Sequence, residues 1–169
     1  MRRTLRIIDS ISTHTAGFMK YFCYALVLVV TYNVVMRYVF NNPPQWAYDI
    51  SIMLGGAVYV LSWAYTHLDK SHVRVDVIYS NLQPRGRALI DVLGTIFLTL
   101  PLVTVLIIIS YAYAAEAWQI GERWKETSWY PPMAPFRTMV IIAFFLFLLQ
   151  VIAHFIRDLR LLAKKEPYD

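Results

Sequence analysis

The chain has 169 residues, of which 58% are hydrophobic, 15% are aromatic and only 16% are charged. A water-soluble domain of this length carries more charge, so the composition indicates an integral membrane protein. Its 16 Lys and Arg residues exceed its 11 Asp and Glu residues, but they are dispersed between apolar runs rather than gathered in one patch, which argues against a nucleic-acid-binding protein.

Four runs of the sequence contain no Asp, Glu, Lys or Arg and are long enough to cross a membrane as helices. They cover residues 21–36, 50–68, 92–115 and 138–156. A helix needs about 20 mostly apolar residues to cross a hydrocarbon core of about 30 Å, and the long side chains that flank the shortest run extend it to the interface. We therefore predict an all-α integral membrane protein with four transmembrane helices, at about residues 18–40, 46–68, 86–120 and 135–158.

The first two predicted helices form an antiparallel hairpin. Residues 41–44, Asn-Asn-Pro-Pro, predict a compact turn, because proline fixes φ and asparagine tolerates unusual backbone angles. Arg37 and Asp49 flank this turn and pair either with each other or with a partner protein; alternatively, Arg37 snorkels and Asp49 favours the positive start of the second helix. Trp46 is expected in the aromatic belt at this interface, where it is also a candidate contact with a partner.

Small residues mark one surface of the second helix. Gly55 and Gly56 follow Ser51 by one helical turn, and such a surface lets another helix approach closely. An ordinary glycine of a membrane helix is an equally good interpretation.

The segment after the second helix carries two competing patterns. Its first half alternates like a strand, whereas Val75, Ile78, Tyr79 and Leu82 form a helical stripe. A lone strand at the membrane would leave its backbone unpaired, so we predict a short amphipathic helix on the cytoplasmic interface at about residues 72–83. The side chains of His72, Arg74 and Asp76 then form either a solvated face or a contact with a partner.

The third helix is expected to continue past its apolar run to Gly121, because that stretch is rich in alanine. Pro101 predicts a kink, since proline removes the backbone hydrogen bond to the Phe97 carbonyl. Trp129 and Tyr130 then lie in an aromatic loop, where they join the interfacial belt or contact a docking protein.

The distribution of basic residues predicts the orientation of the chain. Twelve of the 16 Lys and Arg residues precede the first helix, lie between the second and third, or follow the fourth, and only four lie in the two remaining connections. Because basic residues are retained on the cytoplasmic side, both termini are predicted to be cytoplasmic.

Catalytic motifs are missing from the sequence. The centres of the four predicted helices carry no ionisable group, and their main polar side chains are expected to hydrogen-bond between helices: Thr31, Asn33, Thr99 and Thr104. The single cysteine, Cys23, cannot form an intrachain disulfide or a multi-cysteine metal site. His67 and His154 both lie near cytoplasmic helix ends and leave open a haem-ligating pair, but we predict no cofactor and no enzymatic activity.

Several motifs together resemble one family. In chain order they are Arg37-Tyr38-Val39-Phe40-Asn41, Trp46 with an acidic residue at 49, the glycine pair of helix two, His72-Val73-Arg74-Val75-Asp76, and Leu82-Gln83-Pro84-Arg85 followed by Asp91. The sequence closely resembles the small, DctQ-like membrane subunit of tripartite ATP-independent periplasmic (TRAP) transporters. The most specific part is His-Val-Arg-Val-Asp, and one departure is Asp49, where the family often has glutamate.

The resemblance implies a system of three proteins in the bacterial inner membrane and periplasm. A periplasmic solute-binding protein delivers an organic acid, a large (M-type) membrane subunit carries it by a sodium-driven elevator motion, and the small subunit braces the large one. The expected partners are therefore these two proteins and membrane lipid, with no nucleic acid. Candidate residues for assembly with the large subunit are Arg37, Trp46, Asp49, Gly55, Gly56, His72, Arg74 and Asp76, and Trp129 and Tyr130 are candidates for a periplasmic contact. The competing hypothesis is a membrane-anchored redox subunit that binds quinone or haem.

Overall fold

A computed structural model of the chain describes residues 2–68 and 84–164. Five α-helices account for most of this part of the chain: α1 (Arg2–Tyr38), α2 (Gln45–Leu68), α3 (Pro84–Gly94), α4 (Leu100–Ile120) and α5 (Ala134–Lys164). A π-helical turn, Thr95–Thr99, joins α3 to α4, and the backbone on both sides of it is right-handed helical, so the two form one long helix.

Four helical segments are long and apolar enough to cross a membrane. They are Leu5–Tyr38, Gln45–His67, Gly86–Ile120 and Ala134–Ala163. The predicted fold class, an all-helical protein with four membrane-spanning helices, is confirmed. The predicted interfacial helix at residues 72–83 lies outside the described residues.

Helix α1 begins far ahead of the span predicted near residue 18, because its N-terminal part has a face that packs against the bundle. Leu5, Ser12 and Met19 recur every seven residues, which places them on one face of a helix, and all three are buried. The N-terminal part of α1 is therefore held by tertiary contacts rather than by membrane insertion alone.

Helix α5 lies at the centre of the bundle. It packs against α1, α2, α3 and α4, and 39% of its most apolar window is buried, compared with 6% for α1. Two apolar clusters fill the space around it, one built on Ala64, Val103, Phe147 and Val151 and the other on Met19, Leu61 and Ala143. The outward faces of α1 and α4 consequently remain apolar and exposed.

A π-helical turn, Thr95–Thr99, lies just before Pro101, where the sequence predicted a kink. The Leu100 N–H donates to the Thr95 carbonyl, five residues earlier. Proline has no N–H to give to the Phe97 carbonyl and its ring crowds that oxygen, so the widened turn restores hydrogen bonding just before the proline.

Two connections lie at the same end of the bundle, which we call the loop end: residues 39–44 and 121–133. In the first, Asn41 adopts φ of 50° and the Asn42 N–H donates to the Met36 carbonyl at 3.0 Å, which ends α1. In the second, Gly121 adopts φ of 61°, where glycine alone has no steric cost. Backbone hydrogen bonds from Trp124 to Pro131 (2.9 Å) and from Met133 to Glu122 (3.0 Å) then fold this longer connection back on itself.

Candidate functional site

The first group of predicted site residues surrounds the start of α2 at the loop end. Trp46 stacks on Tyr32 of α1, with ring centroids 5.7 Å apart and an interplanar angle of 21°. This stacking fixes the hairpin between α1 and α2. Trp46 therefore has a structural role inside the chain, and it is only partly exposed.

Asp49 is buried, with 1% of its surface exposed, and it pairs with the other connection rather than with Arg37. The Thr127 hydroxyl donates to Asp49 Oδ2 across 78 residues of sequence. Asp49 Oδ1 is also buried and accepts no hydrogen bond from any described residue. Asp49 lies beyond the first turn of α2, so the positive helix start does not account for it.

Arg37 makes no ion pair within residues 2–68 and 84–164, and its side chain is exposed. It lines a cavity of about 310 Å³ at the loop end, together with Asn33, Tyr48 and Thr127. Asn33 Oδ1 is buried there and, like Asp49 Oδ1, accepts no hydrogen bond from the described chain. An exposed cation that makes no ion pair within the described chain is available for a polar contact with another subunit.

Gly55 and Gly56 face different surroundings. A Cβ atom added to Gly56 would lie 3.0 Å from Cζ of Phe136, so this glycine admits the aromatic ring of α5. A Cβ atom added to Gly55 would meet nothing within 4 Å. Gly56 is thus explained by packing within the chain, whereas Gly55 leaves a small-residue surface open on α2.

The remaining candidates divide between the loop end and the segment that is not described. Trp129 and Tyr130 are 46% and 49% exposed, and Tyr130 adopts a φ of 50°, which directs the connection back towards α5. His72, Arg74 and Asp76 lie outside the described residues.

A comparison with protein families identifies the chain. The family described as "Tripartite ATP-independent periplasmic transporters, DctQ component" matches residues 26–161. The chain belongs to this family. The match confirms the resemblance seen in the sequence motifs and makes this DctQ chain the small membrane component of a tripartite transporter, a multi-pass protein of the bacterial inner membrane. No curated protein and no solved structure matched the chain.

The structure of the DctQ chain also reveals a polar network that the sequence reasoning missed. Gln150 of α5 is fully buried, accepts a hydrogen bond from the Ser12 hydroxyl at 3.0 Å, and donates to Asp9 Oδ1 at 3.2 Å. The other Asp9 oxygen accepts from Arg157. The seven-residue repeat of buried positions from Leu5 to Met19 was the available signal, since it places Asp9 and Ser12 towards the bundle.

The two histidines near the opposite end of the bundle do meet. The His67 and His154 rings contact edge to face, with centroids 4.9 Å apart, and His67 also packs against Phe147. Bis-histidine ligation requires a porphyrin plane between two imidazoles, and rings in direct contact leave no room for one. No group of three or more metal-ligating side chains occurs in the part of the DctQ chain that the structure describes. The redox hypothesis therefore gains no support.

Proposed function

We propose that this chain is a non-catalytic small permease subunit that braces the large transport subunit for sodium-driven, binding-protein-dependent uptake of an organic acid. The family match supports the part of this proposal that makes the chain a component of a tripartite transporter. Sodium coupling and the organic-acid class rest on what the family resemblance implies.

The bracing role is supported by the distribution of polar and apolar side chains in the buried core. Buried polar side chains lie at two separate levels of the bundle, at Asp49 near the loop end and at Ser12 and Gln150 farther from it. The cluster that separates these two levels, built on Met19, Leu61 and Ala143, is apolar. An anion crossing among these described helices would lose its hydration without compensation, so the transport pathway belongs to another subunit.

The surface of α2 is the best candidate for contact with the large subunit. Lipid tails are as apolar as helix side chains, so membrane helices associate through close packing and polar contacts rather than through hydrophobicity. Gly55 provides an open small-residue surface, and Arg37 provides an exposed cation that makes no ion pair within the described residues. Both features lie in the half of the hairpin nearest the loop end.

Replacing Gly55 by leucine should reduce association with the large subunit without destabilising this chain. A Cβ atom at this position meets nothing within 4 Å and leucine favours helix formation over glycine, but the larger side chain would hold an approaching helix away. We expect co-purification of a tagged large subunit to fall at least fivefold, on the order of 1 kcal/mol. Gly17→Leu is the matched control, because that helical glycine is equally open but lies on α1. Equal co-purification of the Gly55→Leu, Gly17→Leu and wild-type chains would remove α2 from the interface.

The same assay addresses His72, Arg74 and Asp76, which we propose act in assembly rather than in sodium coupling. Arg74→Ala should lower recovery of the complex more than it alters the apparent sodium affinity of uptake, because the residue lies beyond the apolar span in sequence. Full recovery with a shifted sodium dependence would assign these residues to transport instead.

The orientation of the chain is a further prediction. The excess of basic residues in three of the five non-membrane segments predicts that reporter fusions at Asp169 and near Leu82 are cytoplasmic, and that a fusion near Lys125 is periplasmic. Paired alkaline phosphatase and fluorescent protein fusions at each site report on which side of the membrane the site lies. A cytoplasmic Lys125 fusion would reverse the topology and with it the assignment of the loop end to the periplasm.

A further inference from the structure

A cavity of about 410 Å³ lies at the loop end beside the connection between α4 and α5. It is lined by three carboxylates, Glu116, Glu122 and Glu126, and by three basic side chains, Arg123, Lys125 and Arg137. We propose that this cavity binds the zwitterionic head group of an ammonium-bearing phospholipid, of the ethanolamine type, and that the adjoining groove between α4 and α5 holds one of its acyl chains.

Two of the residues that line this cavity carry buried atoms of opposite hydrogen-bonding character that lack partners among the described residues. Glu122 Oε2 is a buried acceptor, and Trp124 Nε1 is a buried donor, and neither bonds to any described residue. A buried polar atom without a partner is costly, so the pair calls for a ligand that offers both an N–H donor and an anionic oxygen. A phosphoethanolamine group offers both, a few bonds apart.

Arg137 preorganises the cavity. One guanidinium nitrogen of Arg137 donates to Glu122 Oε1 at 2.6 Å and another donates to the Tyr113 carbonyl at 2.9 Å, while the guanidinium lies 5.3 Å from the centre of the Tyr113 ring. These contacts fix the side chain and leave further N–H groups for a phosphate oxygen, since guanidinium has five donors. Lys125 and Arg123 add positive charge on the phosphate side.

A second cavity beside the charged one favours a lipid over a soluble zwitterion. Arg137 and Tyr113 also line a second cavity of about 250 Å³, whose other lining residues are Ser110 and Val140. Ser110 and Val140 lie deeper in the candidate spans Gly86–Ile120 and Ala134–Ala163 than the two shared residues, so this second cavity, the groove of the proposal, adjoins the charged cavity on the side of the apolar spans. A soluble solute would leave the groove empty, whereas an acyl chain fills it with apolar contacts. Indole groups such as Trp118 mark this level as the membrane interface.

The test is lipid retention by the full chain purified in mild detergent, measured by native mass spectrometry with lipids of identical acyl chains. An ethanolamine head group should bind about tenfold more tightly than a choline head group, because a quaternary ammonium has no N–H for Glu122 Oε2. A glycerol head group, which has the phosphate but no cation, should bind as weakly as choline. Equal binding of all three would overturn the proposal.

Variants locate the site. Trp124→Phe removes only the indole N–H and should weaken ethanolamine lipid binding about fivefold, while Trp118→Phe is the matched control, because its Nε1 already donates to Thr138 at 2.9 Å outside the cavity. Glu122→Gln should erase the preference for ethanolamine over choline. If either variant is unstable, Val140→Trp tests the groove separately, since a bulky side chain there should exclude the acyl chain and lower retention of the lipid.

Unchanged lipid retention in both Trp124→Phe and Val140→Trp would contradict the proposed site. Displacement of the lipid by glycerophosphoethanolamine, which carries the same head group without acyl chains, would contradict it as well.

Discussion

Uptake of an organic acid into proteoliposomes is expected only when this chain and its large subunit are reconstituted together. With a sodium gradient and the binding protein present, the small chain alone should give no uptake, the large subunit alone should give little, and the pair should give robust uptake. In the described helices, the apolar cluster of Met19, Leu61 and Ala143 separates buried Asp49 from the buried pair of Ser12 and Gln150, so the helices offer an anion no continuous path. A domain that moves in the membrane requires a fixed body to move against, and four added spans enlarge that body.

Two controls separate the possible outcomes of this uptake experiment. Collapse of the sodium gradient with an ionophore should abolish uptake by the pair, and the Gly55→Leu chain should reduce uptake in proportion to the loss of the complex. Uptake by the small chain alone would refute the bracing role. Full activity of the large subunit alone would show that the brace is dispensable for transport.

Replacing Gln150 by leucine is expected to destabilise the isolated chain by about 2 kcal/mol. Gln150 is fully buried and connects Ser12 and Asp9 of α1 to α5, so its loss leaves a buried hydroxyl and a carboxylate oxygen without their partner. The buried hydroxyl costs about 1 to 3 kcal/mol and the partly exposed carboxylate adds less, while the added apolar contacts of leucine offset part of this cost. Unfolding in mixed micelles, followed by circular dichroism, measures the change.

Gln119→Leu is the matched control for this substitution, since Gln119 is exposed near the end of α4. It should leave the unfolding midpoint within about 0.5 kcal/mol of the wild-type value. Asp9→Asn provides a second test of the same network, because it weakens the ion pair with Arg157 and should destabilise the chain in the same direction. If the Gln150→Leu chain is as stable as the wild type, the network does not stabilise the fold and instead determines which helix surfaces pack together. Some buried polar groups in other proteins tolerate apolar replacement in this way.

The amino-acid sequence by itself determined the class of protein, the number of spans and the family. Each depends on information that is local along the chain. Runs without charge of about 20 residues are sufficient to predict a membrane helix, because the cost of burying charge in hydrocarbon acts on each segment separately. The motifs around Arg37 and from His72 to Asp76 were sufficient for the family, which the match to residues 26–161 confirmed.

Only the tertiary structure decided which polar groups meet. Asp49 was expected to pair with nearby Arg37 or with a partner protein, or to favour the positive start of the second helix, and within the described chain it accepts a hydrogen bond from Thr127, 78 residues away. Gln150 is in an apolar run and was not singled out, yet it joins Asp9, 141 residues away. Gly55 and Gly56 are adjacent in sequence but differ in their surroundings, because a Cβ atom added to Gly56 would contact Phe136 and one added to Gly55 would meet nothing within 4 Å. Periodicity predicts which face of a helix is apolar, but the partner of each side chain depends on how the helices pack around α5, and that is set by the shapes of all the contacting surfaces together.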